Sequence, residues 1–287
     1  MTGRNHQPRL APDHWGTPQA DPRAADVAGV TQLLSTAAAE GAAKLPMLSA
    51  AELYTLCGTS QVLTEENEQQ RWAAMTGPAR AGLASAATDF LLDRGLLRRP
   101  AQDASGAATT PTDPRATDGS HPADLPMSPP LALIITARQY PAVVAAGTRR
   151  AGGGAAGAPR MYGLAEDGSP LRAVVVEMVT GRTHKLFGPL HEFVLMSPAA
   201  AGSALAAWAR TPLRTGLRRQ PQDRTVSVYR NRPGHGLTCD RLTVTGTGDG
   251  SVTAVREQPG PGIPGPVTCG QAELTALVTG MLTGEQP

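Results

Sequence analysis

Apolar positions recur along the chain at two spacings, and the spacings divide it into strands and helices. The densest β-branched run is Val174-Val175-Val176, inside Leu171–Val179. It is apolar on consecutive positions until Glu177, the pattern of a central strand covered on both faces. Met161–Ala165 predicts a shorter extended segment before it, and Glu166-Asp167-Gly168-Ser169-Pro170 supplies the turn, since Asp-Gly favours the positive φ of tight hairpins. Thr180-Gly181 predicts a second turn, toward Thr183–Phe187. Ser197-Pro198 reads as a helix start, with Ala201, Leu205 and Trp208 on one face and Thr211-Pro212 as the stop.

Period-two alternation returns in Thr225–Tyr229, Arg241–Thr245 and Ser251–Val255, the last two joined by a Gly248-Asp249-Gly250 turn. Thr268-Cys269-Gly270-Gln271 fits a capping box, followed by a helix with Leu274, Leu277, Val278 and Met281 on one face. Strands followed by one helix thus occur twice, over 161–210 and 225–283. The fold class this predicts is α+β: an antiparallel central sheet with flanking helices, and pseudo-twofold duplication as a candidate feature.

The N-terminal half is helical in pattern. Residues 1–26 are polar and Pro-containing, and Ala25–Ala43 forms at most an Ala-rich helix with Val30, Leu33 and Leu34 as its large apolar contacts. Residues 1–44 are therefore expected to be largely disordered, with one domain over 45–287. Ser49-Ala50-Ala51-Glu52 matches a capping box; Leu53, Leu56 and Cys57 follow at helical spacing, and Gly58 ends that helix. A polar link through Glu65, Glu66 and Glu68 leads to Trp72 and Met75. Gly77-Pro78 restarts a helix whose buried face is Leu83, Ala86, Ala87, Phe90 and Leu91, closed by a left-handed Gly95 with Leu96 behind it. Arg99–Met127 lacks periodicity and is expected to be a disordered insert. Leu131–Thr136 is apolar enough for a strand, yet the segment through Val143 and Val144 is equally compatible with a helix. Arg149–Pro159 reads as a second flexible loop.

Composition narrows the function classes. In 287 residues, aromatics are only 3%, so the core must be built from Ala, Leu and Val; Gly 32 and Pro 26 imply sizeable irregular regions. The excess of Arg over Lys, with abundant Ala, is what a high-GC coding sequence produces. A net charge of +2 is too small to imply nucleic-acid binding. The local patch of Arg210, Arg214, Arg218, Arg219 and Arg224 reads as a solvated loop. Cys57, Cys239 and Cys269 are odd in number and far apart, as reduced thiols would be. With no apolar leader after Met1 and no run of the roughly 20 residues a membrane helix needs, the expected location is cytoplasmic and off the membrane.

No chemical motif survives its context. Gly152-Gly153-Gly154-Ala155-Ala156-Gly157 matches a dinucleotide fingerprint with Glu177 downstream, but Ala158-Pro159 stands where a phosphate-binding helix must open. His184 and His191, and His235 with Cys239, match no usual zinc-ligand pair. There is no G-x-S-x-G elbow, and Asp249-Gly250-Ser251 is a turn, since a calcium loop needs more oxygen ligands. Glu177, Glu192 and Asp240 are carboxylates that only a fold could bring together. The expectation is no catalytic residue, no cofactor and no metal.

Two stretches carry a family resemblance. Leu48-Ser49-Ala50-Ala51-Glu52-Leu53 opens one helix, Leu91-Leu92-Asp93-Arg94-Gly95-Leu96 closes a later one, and a Gly-turned meander follows. In this order of features, over Leu45–Leu282, the chain resembles the EspG family, cytoplasmic chaperones of type VII (ESX) secretion in high-GC Gram-positive bacteria. The resemblance implies a mixed α/β protein with a central antiparallel sheet and quasi-twofold symmetry. It also implies a non-enzymatic role, in which the sheet face and adjoining loops hold the helical tips of a small secreted protein pair. Two other classes compete: a winged-helix-like DNA-binding regulator built on Ser49–Leu97, and an enzyme with an unrecognised site.

Overall fold

In the computed structural model, the residues described are 9–10, 27–58, 61–64, 66–99, 122, 125–149, 157–165, 169–211, 223–232, 236–246, 251–257 and 265–285. From the N-terminus they form β1 (Arg9–Leu10), α1 (Val27–Glu40), β2 (Ala42–Lys44), β3 (Leu48–Ser49), α2 (Ala50–Cys57), β4 (Leu63–Thr64), α3 (Glu66–Ala74) and α4 (Gly77–Asp93). Then come α5 (Pro129–Gln139), β5 (Val143–Arg149), β6 (Pro159–Leu164), β7 (Ala173–His184), β8 (Gly188–Met196) and α6 (Pro198–Arg210). The chain closes with β9 (Arg224–Arg232), β10 (Gly236–Gly246), β11 (Val252–Glu257), β12 (Val267–Cys269) and α7 (Gln271–Thr283).

The fold is α+β. An antiparallel sheet of 10 strands runs in the order β12-β11-β10-β9-β5-β6-β7-β8-β2, with β3 also on β8; β1 and β4 pair separately. From the β5–β9 junction the two meanders diverge, β5 to β8 one way and β9 to β12 the other, and each ends in a helix. The succession of four strands and a helix therefore occurs twice. Its first copy begins at Val143, earlier than the echo expected from residue 161.

Strand alternation assigns the layers, because successive side chains point to opposite faces. Val144, Ala146, Tyr162, Val175, Phe193 and Leu195 pack under α1, α2 and α5. Val143, Ala145, Met161, Val174, Val176, Val226, Val228, Leu242 and Val244 pack under α6 and α7. With apolar groups on both sides, β7 is the doubly covered strand its Val run predicted, and each buried Val adds roughly 1.5–3 kcal/mol of transfer free energy.

Several expectations need correction. Structure does not start near Leu45: α1 and β2 precede it, and β2 pairs with β8 as the sheet's edge. Val30, Leu33 and Leu34 pack on the core, so tertiary contact supplies what a weak Ala-rich helix lacks. The chain does not turn at Thr180-Gly181. β7 continues to His184 through a register shift between Val179 and Thr183, and the turn falls at 185–187. Leu131–Thr136 is helical, apolar around its whole circumference because α5 is wedged between helices and sheet, and Val143-Val144 is strand. The polar link from Glu66 is α3, which lacks an apolar stripe and is fixed instead by Trp72 stacking on Tyr54 at 5.2 Å. On α4 only Ala87 and Leu91 of the expected face are buried; Leu83 is half-buried, and Ala86 and Phe90 are exposed. Thr268 and Cys269 belong to β12, and Gly270 caps α7, where the Glu273 carboxylate accepts from the Gly270 N–H at 2.8 Å.

Local signals elsewhere hold. Ser49 Oγ accepts from the Glu52 N–H and the Glu52 carboxylate accepts from the Ser49 N–H at 2.6 Å, closing the capping box. Ser197 Oγ accepts from the Ala200 N–H. Gly95 takes φ 66°, with Leu96 N–H bonded to Leu91 O and Gly95 N–H to Leu92 O. Most of the expected insert at 99–127 and of the loop at 149–159 lies outside the described residues. The insert's ends meet: Leu97 pairs with Met127, and Ser128 N–H donates to Leu96 O.

α6 and α7 approach each other at Gly202, where an added Cβ would stand 2.0 Å from Thr279 Oγ1 and 3.0 Å from Thr279 Cα. Gly202→Ala should therefore destabilise the protein by about 1–3 kcal/mol in urea unfolding, the cost of overpacking. Gly82, in the open middle of α4 with nothing within 4 Å of an added methyl, should respond oppositely. Gly82→Ala is expected to add about 0.5–1 kcal/mol.

Candidate functional site

Glu177 sits on the strand face that carries Val175, so alternation directs its carboxylate into the layer beneath α2 and α5. It is fully buried. Arg160 of β6 is its direct cross-strand partner in register, and Tyr162 and His191 are diagonal neighbours. Arg160 donates to Glu177 Oε1 at 3.2 Å, and the Tyr162 hydroxyl donates to Oε2 at 2.7 Å. Arg138 comes down from α5, giving one N–H to Glu177 and another to the Gln61 side-chain oxygen. Gln61 is held in turn by its amide on Gly58 O at 2.9 Å.

Burial alone would push the Glu177 carboxyl up. Arg138, Arg160 and the bond from His191 reverse this and hold it well below the usual carboxylate range. Burial acts to lower Arg138, but Glu177 more than offsets it and its guanidinium stays charged. The Cys57 thiol beside them is pushed up to about 12, first by burial, which makes it inert as a nucleophile.

His191 extends this network outward. Its Nδ1 lies 2.6 Å from Glu177 Oε1 and its Nε2 lies 3.5 Å from Glu68 Oε1 on α3. Since Glu177 is ionised, Nδ1 must donate to it. The Nε2–Glu68 contact is then attractive only when Nε2 carries a second proton. Burial opposes that proton, but the bond to Glu177 and the Glu68 charge beside Nε2 outweigh it and raise His191 above its ordinary value.

Glu68 also lines a shallow open groove between α2, α3, α4 and the β7–β8 turn. Ala50, Ala51 and Tyr54 of α2 form its floor, Trp72 and Met75 one wall, and Leu186 and Phe187 of the turn the other. Leu186 is 72% exposed. His184 shapes this turn, its Nδ1 accepting from the Leu186 and Phe187 N–H groups at 3.3 Å while its ring stacks on Phe187. The Tyr54 hydroxyl is buried without a hydrogen-bond partner among the described residues. Burial first, then the Glu68 charge, push it up to about 12.

Of the residues singled out in the sequence, the fold brings Glu177 and His191 together. Glu177, Glu192 and Asp240 do not converge: Glu192 lies opposite Met178 on the other side of β8's pleat, and Asp240 faces Arg230 and Arg256 on the far half of the sheet. His184 and His191 serve the turn and the buried network respectively. No group of three or more His, Cys, Asp or Glu among the described residues could hold a metal ion. Cys57, Cys239 and Cys269 are free thiols. The Arg patch is not simply a solvated loop: Arg224 is buried, donates to Trp208 O and Thr211 O and lies 4.9 Å over the Trp208 ring, while Arg210 bonds Gln271. Arg214, Arg218 and Arg219 lie outside the described residues, as do His235 and most of the Gly152–Gly157 run. Sequence reasoning missed Arg138, Arg160 and Tyr162. The one available signal was Glu177 itself, a carboxylate inside an apolar strand, which demands cations. In comparison with known proteins, the sequence matches no family model and no curated protein.

Removing one partner of a buried ion pair strands the other charge. Arg138→Met is thus expected to cost about 3–5 kcal/mol in denaturant unfolding. The double variant with Glu177→Leu should lose clearly less than the sum of the singles, and additive losses would contradict the coupling. The His191 proton gives a pH dependence of opposite sense to acid denaturation. Its value is raised on folding, so its contribution is complete below the unfolded value near 6.5 and disappears as pH rises through the higher folded value. Stability measured from pH 6 to 9 should fall, and the fall should be shallower in Glu68→Gln. Tyr54→Phe, which removes a buried hydroxyl with no hydrogen-bond partner among the described residues, should raise stability by about 1 kcal/mol.

Proposed function

We propose that this protein is a non-enzymatic binding module that uses the groove between α2, α3, α4 and the β7–β8 turn to hold a helical segment of another polypeptide. The single observation carrying this reading is the combination of an apolar groove with the protruding Leu186 on its wall. A large exposed Leu on a tip braced by stacked His184 and Phe187 is an anchor held ready for a partner. Beneath the groove, Glu177 neutralises Arg138 and Arg160, and His191 joins it to Glu68. Helix-in-groove recognition uses such surfaces, with apolar anchors at i, i+3 and i+4 of the incoming helix.

The resemblance to secretion chaperones of the EspG type supports the same class of partner, a small helical secreted pair kept soluble in the cytoplasm. The Leu48–Leu53 and Leu91–Leu96 stretches that carry the resemblance touch each other, Arg94 donating to Glu52 Oε1 at 2.9 Å and to Met47 O at 2.6 Å. They brace the α2 floor of the groove.

A photo-crosslinking residue at position 186, introduced in the source organism, tests the proposal. It should capture a protein whose crosslinked segment is an amphipathic helix. A synthetic peptide of that segment should bind the purified protein, and Leu186→Asp should weaken it by about tenfold, a loss of roughly 1.4 kcal/mol. Capture of no such helix, or peptide binding that Leu186→Asp leaves intact, defeats the reading.

A further inference from the structure

Resting on that groove reading, we infer that the groove accepts a lysine or arginine side chain of the partner, its aliphatic stem between the apolar walls and its charged head on Glu68 and the Tyr54 hydroxyl. Three observations carry this. The Glu68 carboxylate is held at the groove floor with 13% of its side chain exposed, so a cation reaching it meets a charge only weakly screened by water. The Tyr54 residue is 5% exposed and its hydroxyl bonds nothing among the described residues, which leaves an acceptor oxygen in the groove lining without a donor. The Glu68 charge also raises that hydroxyl, so the two groups are electrostatic neighbours in the groove lining.

The walls suit the rest of such a side chain. Trp72, Met75 and Phe187 offer apolar contact to a four-carbon or three-carbon stem, as amphipathic side chains require. Arg71 lines the same groove and is exposed, one turn further along α3 than Glu68, so solvent screens its charge more than that of Glu68. An anionic side chain would meet the Glu68 carboxylate directly. A purely apolar one would cover the Tyr54 hydroxyl, which has no hydrogen-bond partner among the described residues, and would strip water from Glu68, whose one nearby cation is His191.

The test uses Nα-acetyl-lysine N-methylamide as probe, with the norleucine and glutamate counterparts as comparators, against the full chain. The readout is the indole ¹⁵N–¹H resonance of Trp72, with that of Trp208, packed beneath Arg224, as internal control. The lysine probe should shift Trp72 saturably and bind at least about fivefold tighter than norleucine, as a charge-assisted hydrogen bond requires. Glu68→Gln should erase that advantage. Tyr54→Phe, which leaves the fold and the latch on His191 in place, should reduce it. If norleucine binds as well as lysine, the cation site is wrong while the apolar groove stands. If glutamate binds best, Arg71 rather than Glu68 governs the site and the inference fails. If no probe moves Trp72, the groove reading falls with it.

Discussion

The structure depends on one buried charge. Glu177 lies in the middle of a sheet, in the strand with the most apolar surroundings, and an isolated carboxylate there would not stay ionised. It is tolerated because β6 supplies Arg160 and Tyr162, α5 supplies Arg138 and β8 supplies His191, all within bonding distance of its two oxygens. Those four partners come from three elements besides its own strand. The network therefore fixes how α5 sits on the sheet and in which register β6, β7 and β8 pair. A one-residue slip of β6 would put Arg160 on the opposite face, among the side chains under α6 and α7.

From this centre the arrangement extends to the surface through a single imidazole. His191 bridges Glu177 to Glu68, and Glu68 belongs to α3, a helix with little apolar surface of its own. Trp72 on Tyr54 is a further tie. The groove wall is thus tied to the sheet through a proton-dependent contact and to α2 through an aromatic stack, whereas the opposite wall, the β7–β8 turn, is braced by His184 and Phe187. The second half of the molecule is held differently. There Arg224 and Arg230 close helix ends, Arg230 donating to Met281 O at the end of α7, and the two helices approach at Gly202.

How much was legible in the chain varies with the range of the cause. The capping box at Ser49–Glu52, the Ser197-Pro198 helix start and the Gly95 cap were all readable because each is closed within a few residues. The Val run of β7 was readable as a doubly covered strand because consecutive apolar residues have few other uses. Misreadings cluster where a neighbour outvotes the local pattern. α3 looks like a polar link until Trp72 finds Tyr54. Leu131–Ile135 is ambiguous until it is surrounded by α1, α2 and the sheet. Thr180-Gly181 has turn chemistry, yet pairing with β8 carries the strand past it through an irregular register.

By itself the sequence determined the α+β class, the recurrence of strands followed by a helix, and the caps that start and stop several helices. Those follow from periodicity and from bonds made between near neighbours. Only the tertiary structure decided that Glu177, one carboxylate among several, is the pivot, and that Tyr54, Glu68, Trp72 and Leu186 share a groove. Their partners lie far apart in the chain, Arg138 39 residues from Glu177 and Gln61 77 from Arg138. No spacing rule spans such distances, because which strand faces which helix is settled by the packing of the whole sheet.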